Sequence, residues 1–576
     1  MTMWIKKIYH RKIGFSLLAA LIGIGAGLGA VGFRGLVAFF QNFFFFGEVS
    51  FDLVNHLNHD YPWKVIMATP IGILAAYFLV HIFCKEAMGH GVPEVIEAVL
   101  AKGGKIRKRV AFVKSLASAL TIGSGGSLGR EGPIVQIGAS LGSTLGQVFN
   151  VSRYQLKIAV ACGAAAGIAA TFNTPIAGVI FAIELILLEW KAGSFIPLVI
   201  SAVSATLISR MLLGNEPAFI IPNFILVHPL EIFLYLFLGI TCAVAAWFFL
   251  RYSGWLEEKI ENIGIPGWGK AFVGGILIGS VGFVFPEMFG GGYEAVDEIL
   301  HQNENLYHLV LLFFLKVTMV AVTLGVGGSG GIFAPSLFMG AAIGGSYGLI
   351  VHELFPDYTM TYGAYALVGM AAFFSATSRA TFTSIVILFE MTRAYPIILP
   401  LMFACVIADQ VSVLLLKGDT VYGMKLKKKG LHFCTDFGVD AFSITSIQDI
   451  MTKKVVSLAS GMTIGQAMAF VADHKHEMYP VLNENGVLLG GVHQSDLDHK
   501  HAIKEDHDKS VDILMRGTPC AVYPKDSLDM AIKKLERSRD PRIVVIDPSD
   551  KKLLGIITPT DLIRFQQKHK ENVEDI

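Results

Sequence analysis

The chain has 576 residues, of which 53% are hydrophobic and 16% are charged, and its formal net charge is +1. Soluble globular domains carry about 25% charged residues, so most of this chain does not belong in water, and a balanced charge gives no electrostatic case for nucleic-acid binding. The six cysteines stand singly, without the spacing of a metal site or a disulfide framework.

Apolar segments recur over roughly the first 420 residues, and several reach the roughly 20 residues that a membrane-spanning helix needs. The first is too long for a signal-peptide core and lacks an obvious cleavage site, so it predicts a retained helix. Basic residues at 6–12 flank the first segment and "KLKKKG" (425–430) follows the last, so the positive-inside rule predicts that both ends of the membrane part face the cytoplasm. The segments are Ile13–Phe46, Trp63–Phe83, Phe195–Leu213, Ile232–Leu250, Ala271–Phe285, Leu309–Leu324 and Ile397–Leu416.

The membrane part contains an internal repeat. Residues 114–144 align with residues 316–346 at an offset of 202, and twelve of the 31 positions are identical. Farther along, residues 163–184 align with residues 369–390 at an offset of 206. The ordered matches predict a duplication, with halves at about 14–213 and 229–425. They include Lys114 with Lys316, Thr121 with Thr323, Gly129 with Gly331 and Pro133 with Pro335.

Four short motifs interrupt the apolar runs, and each ends in proline. Proline is favoured in the first turn of a helix, and glycine before it lets the backbone turn and expose its amides, so the motifs predict helices that begin within the membrane. Irregular backbone at that depth must line a cavity or lie against protein. Because helix N-termini attract anions, several such ends in a duplicated frame favour a transport site for a small anion over simple helix kinks. The motifs are GHGVP (89–93), GREGP (129–133), FNTP (172–175) and GIFAP (331–335).

These motifs carry a family resemblance. GHGVPE, GREGP, GIFAP and a later tyrosine, Tyr422, occur in the order and approximate spacing of the CLC family of chloride channels and chloride/proton exchangers, over residues 10–430 or so. The resemblance implies an all-α polytopic membrane protein of the CLC fold, with two inverted repeats and broken helices. It also implies a homodimer in which each subunit has its own pore.

The same resemblance assigns roles to individual residues. It implies that a central anion is held by the backbone N–H groups of Ile332 and Phe333 and by the Tyr422 hydroxyl, between an outer and an inner site. It makes Glu131 the gate, because a carboxylate beside helix N-termini can take the place of the anion, and an ionisable residue within a membrane is a functional candidate in its own right. The alternative is a structural Glu131 paired with its neighbour in sequence. The complete implied anion-binding set is Gly89, His90, Gly91, Arg130, Gly132, Ile332, Phe333, Ala334 and Tyr422.

Two positions depart from the commonest family pattern. His90 stands where the first motif often carries serine, and because histidine titrates near neutrality we expect it to tune anion selectivity or pH response; the alternative is that only its backbone binds. Leu185 follows Glu184 where proton-coupled members resemble one another in having a second acidic residue. Leucine carries no proton, which favours a passive chloride channel over a chloride/proton antiporter, although Glu184, Glu189 or water are alternative carriers. Glu184 has a counterpart in Glu390, which favours an architectural role.

Composition changes after the membrane part. We expect a CLC transport domain at 1–430, a linker at 431–444, and two further units at 445–503 and 508–568 that repeat each other at an interval of about 65 residues. Each unit combines an amphipathic helix, two short strands and a Gly-hydrophobic-hydrophobic-x-x-x-Asp-Leu exit. This pattern resembles a pair of cystathionine-β-synthase (CBS) domains, which implies a cytoplasmic α/β regulatory module.

Clefts in such modules often bind adenine nucleotides such as ATP, ADP or AMP. The resemblance implies that Thr558 and Asp561 would contact ribose and phosphate, whereas the first repeat has His493 and Asp496 at these positions. One cleft is therefore expected to be empty, and a purely structural module that stabilises the dimer is the alternative.

The remaining expectations concern activity and location. We expect chloride as the transported ion, with fluoride or nitrate as alternatives, no required cofactor, no metal, and a location in the plasma (inner) membrane. A membrane enzyme or a nucleotide-sensing receptor would need a catalytic constellation, such as Ser/His/Asp or a set of metal ligands, which the sequence does not display. The chain is therefore expected not to be an enzyme.

Overall fold

The computed structural model of the protein describes residues 2–52, 63–219, 221–222, 224, 226–302, 304–429, 431, 445–472, 474, 476–501, 507–516, 520–537, 543–562 and 564–565. The predicted linker at 431–444 lies outside these residues except for residue 431. The chain divides into two compact units, Met1–Gly438 and Val439–Ile576. Each unit has its own hydrophobic core.

Within the residues that the structure describes, the first unit is built from α-helices, eight in each half and one more at its end. The first half contains α1 (Thr2–Phe45), α2 (Val65–Phe83), α3 (Val92–Leu100), α4 (Arg109–Gly123), α5 (Glu131–Val148), α6 (Arg153–Phe172), α7 (Pro175–Phe181) and α8 (Ala192–Leu213). The second half contains α9 (Glu231–Glu261), α10 (Gly267–Val284), α11 (Tyr293–Leu300), α12 (Leu306–Gly325), α13 (Phe333–Leu354), α14 (Tyr362–Ser378), α15 (Thr381–Thr392) and α16 (Ile398–Leu416), and α17 (Val421–Lys428) follows.

Nine helical stretches within the described residues are long and apolar enough to cross a bilayer. Seven of them overlap the apolar segments that the sequence predicts. The other two, Arg153–Phe172 and Phe333–Leu354, are rich in alanine and glycine and lack the runs of large apolar side chains that mark the predicted segments. They lie inside the protein, with 83% and 78% of their apolar windows buried, so small side chains replace the large lipid-facing ones.

The duplication predicted from the sequence is visible in the packing of α5 on α6 and of α13 on α14. A Cβ atom placed on Gly138 would lie 2.1 Å from the carbonyl oxygen of Gly163, and one on Gly163 would lie 1.9 Å from that of Gly138. The second half has the same contact between Gly340 and Gly369, where both distances are 2.5 Å. Gly340 follows Gly138 by 202 residues and Gly369 follows Gly163 by 206 residues, which are the two offsets of the repeat. Small residues thus let the central helix backbones touch in both halves.

The two halves also cap each other's helices through equivalent carboxylates. Glu184 accepts hydrogen bonds from the amides of Phe382 and Thr383 at the start of α15, at 3.2 and 2.8 Å. Glu390 accepts from the amides of Ile176 and Ala177 at the start of α7, at 3.2 and 2.7 Å. Carboxylates satisfy the free N–H groups of a helix N-terminus well. The exchange of caps joins the two halves.

The second unit contains two small α/β domains of the same design. In each, a parallel pair of strands is extended by an antiparallel third, with order β1-β2-β3 and β4-β5-β6. Both antiparallel pairs carry a register irregularity at the equivalent place, Val481/Leu482 and Val545/Ile546. The elements are β1 (Leu458–Ala459), α18 (Ile464–Val471), β2 (Met478–Leu482), β3 (Leu488–His493), α19 (Gln494–His501), β4 (Ala521–Val522), α20 (Leu528–Arg537), β5 (Ile543–Ile546) and β6 (Leu553–Ile557).

Candidate anion pathway

Three of the four predicted breaks meet inside the first unit. The backbones of Gly129 and Gly331 exchange two hydrogen bonds of 2.7 Å, and the Gly330 amide donates to the Gly89 carbonyl at 3.2 Å. The helices that follow these breaks, α3, α5 and α13, therefore begin side by side. Their N-terminal amides and partial positive charges converge on one region.

Glycine is required where these backbones touch. Gly91 has φ +93°, and a Cβ atom on it would lie 2.5 Å from the carbonyl oxygen of Gly132. A Cβ atom on Gly132 would lie 2.0 Å from the carbonyl oxygen of His90. Any side chain at either position would push α3 and α5 apart, which explains the glycines of GHGVP and GREGP.

A small cavity lies among these helix starts, and most of the predicted anion-binding residues surround it. Its volume is about 10 Å³, which is space for roughly one water-sized particle. Its lining includes His90, Glu131, Gly132, Ile332, Phe333 and Tyr422. Four other predicted residues do not line it: Gly89, Gly91 and Ala334 belong to the adjoining backbone, and Arg130 lines a different cavity.

The Glu131 carboxylate occupies this region. Glu131 is only 1% exposed, and its Oε2 accepts a hydrogen bond from the Ala334 amide at 3.3 Å, in the first turn of α13. Its Oε1 accepts a hydrogen bond from the Tyr293 hydroxyl at the start of α11. The acidic side chain thus lies against a helix N-terminus, where an anion would be attracted.

His90 is buried at the same cavity. Its side chain is 3% exposed, and both ring nitrogens are buried without a hydrogen-bond partner among the described residues. A buried polar group without a partner is costly, and the two ring nitrogens are polar atoms beside the cavity that no described residue satisfies.

A larger cavity of about 460 Å³ adjoins Glu131 through Arg130 and Tyr293, and Arg34 of α1 also lines it. The Arg130 guanidinium lies 4.9 Å from the centre of the Tyr293 ring. Glu216 and Glu294 line the same cavity, so its two arginines stand beside two acidic side chains. Tyr293 and Arg34 were not predicted from the sequence, and the local signal for Tyr293 is the glycine triplet at 290–292 before it.

The position expected to carry a proton in exchangers is apolar and enclosed. Leu185 has no exposed surface and lies in a π-helical turn, Ala182–Leu187. The neighbouring Glu184 is engaged in capping α15. Glu189 forms an ion pair of 2.7 Å with Lys191.

In the second unit, the predicted nucleotide residues contact each other. Asp561 Oδ2 accepts hydrogen bonds from the Thr558 amide and hydroxyl at 2.9 and 2.7 Å, and its Oδ1 accepts from the Thr452 hydroxyl at 3.0 Å. In the first domain the equivalent Asp496 pairs with Arg516 at 2.6 Å. Each aspartate therefore contacts the start of the other domain, and nucleotide binding at Thr558 and Asp561 stays a prediction.

Comparison with protein families gives two matches. Residues 72–413 match the family model for voltage-gated chloride channels, and residues 447–500 and 510–568 each match the model for CBS domains. A ClcB-like chloride channel protein of Ralstonia nicotianae (strain ATCC BAA-1114 / GMI1000) is 34% identical over 395 residues, which cover 68% of this chain and 91% of that protein.

Solved structures agree with this assignment. A slow cyanobacterial Cl⁻/H⁺ antiporter shares 26% identity with a TM-score of 0.64, over 72% of this chain and 97% of its own. A eukaryotic CLC transporter aligns over 96% of this chain and 98% of its own, with 20% identity and a TM-score of 0.60. A CLC-type fluoride/proton antiporter aligns over 72% and 98%, with 21% identity and a TM-score of 0.58; the last two show the fold alone. The chain therefore belongs to the CLC family of anion-transporting integral membrane proteins and carries two CBS domains at its C-terminal end.

Proposed function

We propose that the protein is a passive, gated chloride channel in which Glu131 opens and closes the anion pathway. The observation that carries this proposal is the hydrogen bond from the Ala334 amide to the Glu131 carboxylate at the start of α13. An ionised carboxylate competes with chloride for this helix N-terminus, whereas a protonated one has lost the charge that is attracted there. Chloride is the ion named for the relative from Ralstonia.

Passive conduction is favoured by Leu185. An exchanger needs a proton carrier on the inner side, and the enclosed leucine has no titratable group. Glu184 and Glu189, the nearest alternatives, are occupied by a helix cap and by an ion pair. The second candidate function is chloride/proton or fluoride/proton antiport, because antiport is the activity named for two of the similar structures.

The reversal potential of the purified protein in liposomes separates these functions. Under a tenfold chloride gradient we expect a reversal potential near 59 mV in magnitude, the Nernst value for a univalent ion, that does not change when a pH gradient is added. A reversal potential that moves with the pH gradient would establish antiport instead. Replacing chloride by fluoride or nitrate in the same assay identifies the preferred anion.

We also propose that His90 contributes to anion binding through its side chain. An imidazole N–H that donates to the anion contributes about 1 kcal/mol, so His90→Ala is expected to lower the apparent chloride affinity about fivefold. His90→Ser, which keeps a hydrogen-bond donor of shorter reach, is expected to change the anion selectivity. The control is His352→Ser, because His352 contacts Thr359 and lines neither cavity. An unchanged affinity in His90→Ala and an unchanged selectivity in His90→Ser would leave only the backbone as ligand.

The assembly and the C-terminal module complete the proposal. We place the protein in the inner membrane, and as a homodimer because it belongs to the CLC family. We place both ends of the membrane part on the cytoplasmic side, because basic residues flank the first and the last apolar segments. The CBS pair is proposed to regulate transport, with an adenine nucleotide as the candidate ligand at Thr558 and Asp561.

A further inference from the structure

The loops before α3 and before α11 occupy equivalent places in the two halves. Gly89 and Gly91 in the first loop correspond to Gly290 and Gly292 in the second, and all four residues have positive φ. A short 3₁₀ turn precedes each pair, at Lys85–Ala87 and at Pro286–Met288. The first loop presents His90 to the small cavity, and the second presents Tyr293 to Glu131.

A duplicated lysine holds each loop. Lys114 of α4 donates to the carbonyls of Ala87 and Gly89 at 3.2 and 2.7 Å. Its counterpart, Lys316 of α12, donates to the carbonyls of Glu287, Met288 and Gly290 at 3.3, 3.3 and 3.0 Å. Both lysines have no exposed surface. A buried lysine amino group that donates to two or three carbonyls fixes the loop backbone, and in the second half this sets the position at which α11 begins.

Tyr293 is the first residue of α11, and its ring packs against neighbouring side chains that fix its orientation. The Arg130 guanidinium lies 4.9 Å from the ring centre, and the rings of Phe172 and Phe219 have centroids 6.5 and 6.0 Å away. With its backbone fixed by the loop and its ring packed on these groups, the hydroxyl has one direction in which to donate. That direction leads to Glu131 Oε1.

We propose that the Tyr293 hydroxyl is the latch of the Glu131 gate, and that Lys316 positions the latch by holding the 286–292 loop. This inference rests on the proposed gating function of Glu131. A hydroxyl that donates to a carboxylate favours the ionised over the protonated form, and it holds the carboxylate at the start of α13, where the charge blocks the anion. The latch therefore sets the pH at which the pathway opens.

Other charged and titratable groups also face Glu131 and its partners. They come from several elements: Arg34 from α1, His90 before α3, Arg130 at the start of α5, Glu216 after α8, Glu294 beside Tyr293 in α11, and Tyr422 from α17. The test must therefore isolate the hydroxyl of Tyr293 and leave these groups in place. Tyr293→Phe does so, because it removes one oxygen atom and keeps the ring that Arg130 covers.

Chloride efflux from proteoliposomes, measured as a function of pH, tests the latch. In Tyr293→Phe we expect the pH of half-maximal efflux to rise by about one to two units, the effect of losing one hydrogen bond to a charged group. In the Glu131→Gln background, Tyr293→Phe should have no further effect, because a latch acts only through the carboxylate. The matched control is Tyr365→Phe, which removes a hydroxyl that donates to the buried Glu231 at 2.9 Å, outside both cavities.

The outcomes separate the latch from the gate. A wild-type midpoint in Tyr293→Phe, or an equal effect of this substitution in the wild-type and Glu131→Gln backgrounds, overturns the latch alone. A Glu131→Gln protein with wild-type pH dependence overturns the proposed gate as well. For the positioning role, Lys316→Met should shift the midpoint upward and Lys316→Arg, which keeps donors for the loop carbonyls, should restore it at least in part. A wild-type midpoint in Lys316→Met removes Lys316 from the proposal.

Discussion

Replacing Glu131 by glutamine is expected to give a chloride flux that is high and nearly constant between about pH 5 and pH 8. In the wild-type protein the ionised carboxylate lies at the N-terminus of α13 and hydrogen-bonds to the Ala334 amide, so the flux should rise as the pH falls and the carboxyl takes up a proton. One titrating group changes the open population by up to roughly tenfold per pH unit. The neutral amide of glutamine has no charge to hold at the helix N-terminus and no proton to exchange. Efflux from proteoliposomes at a series of pH values measures both effects.

The matched control for this experiment is Glu231→Gln. Glu231 is as deeply buried as Glu131, at 1% exposure, and it also accepts hydrogen bonds from a tyrosine hydroxyl and a backbone amide, those of Tyr365 and Met360. It lines neither cavity, so its variant should keep the wild-type pH profile per folded protein. If Glu131→Gln also keeps that profile, the carboxylate is not the gate and the competition between Glu131 and chloride is excluded.

The features that could be predicted from the sequence are those that short, ordered motifs encode. Glycine and proline mark where helices can begin within the membrane, and the GREGP and GIFAP motifs identified the helix starts that now meet through the paired backbones of Gly129 and Gly331. The offset between the two halves could also be found by aligning the sequence with itself, because the close helix contacts in both halves depend on glycines that no other residue can replace. Glu184 and Glu390 were recognised as counterparts, and the structure adds that each caps a helix of the other half.

Contacts between distant residues were not predictable in the same way. Tyr293 reaches Glu131 across 162 residues of sequence, and the first turn of α11 lacks the proline that marks the other helix starts. The helices Arg153–Phe172 and Phe333–Leu354 were missed as spans because they pack against protein, so alanine and glycine take the place of the large apolar side chains that mark a lipid-facing run. In each case the feature depends on contacts with a distant part of the chain, so one segment of sequence does not predict it.

The largest effect on stability is expected from one added methyl group, in Gly163→Ala. In an exposed helix, replacing glycine by alanine stabilises by about 1 kcal/mol. Here the sign should be reversed, because the new Cβ atom would lie 1.9 Å from the Gly138 carbonyl oxygen and α5 and α6 must separate, with a loss of about 1–3 kcal/mol or more from overpacking. The equivalent Gly369→Ala, at 2.5 Å from Gly340, should be milder, and Gly32→Ala, with nothing within 4 Å, should be neutral or stabilising. Melting temperature and the monodisperse fraction in detergent should follow this order, and a Gly163→Ala protein as stable as Gly32→Ala would mean that the central helices do not touch as described.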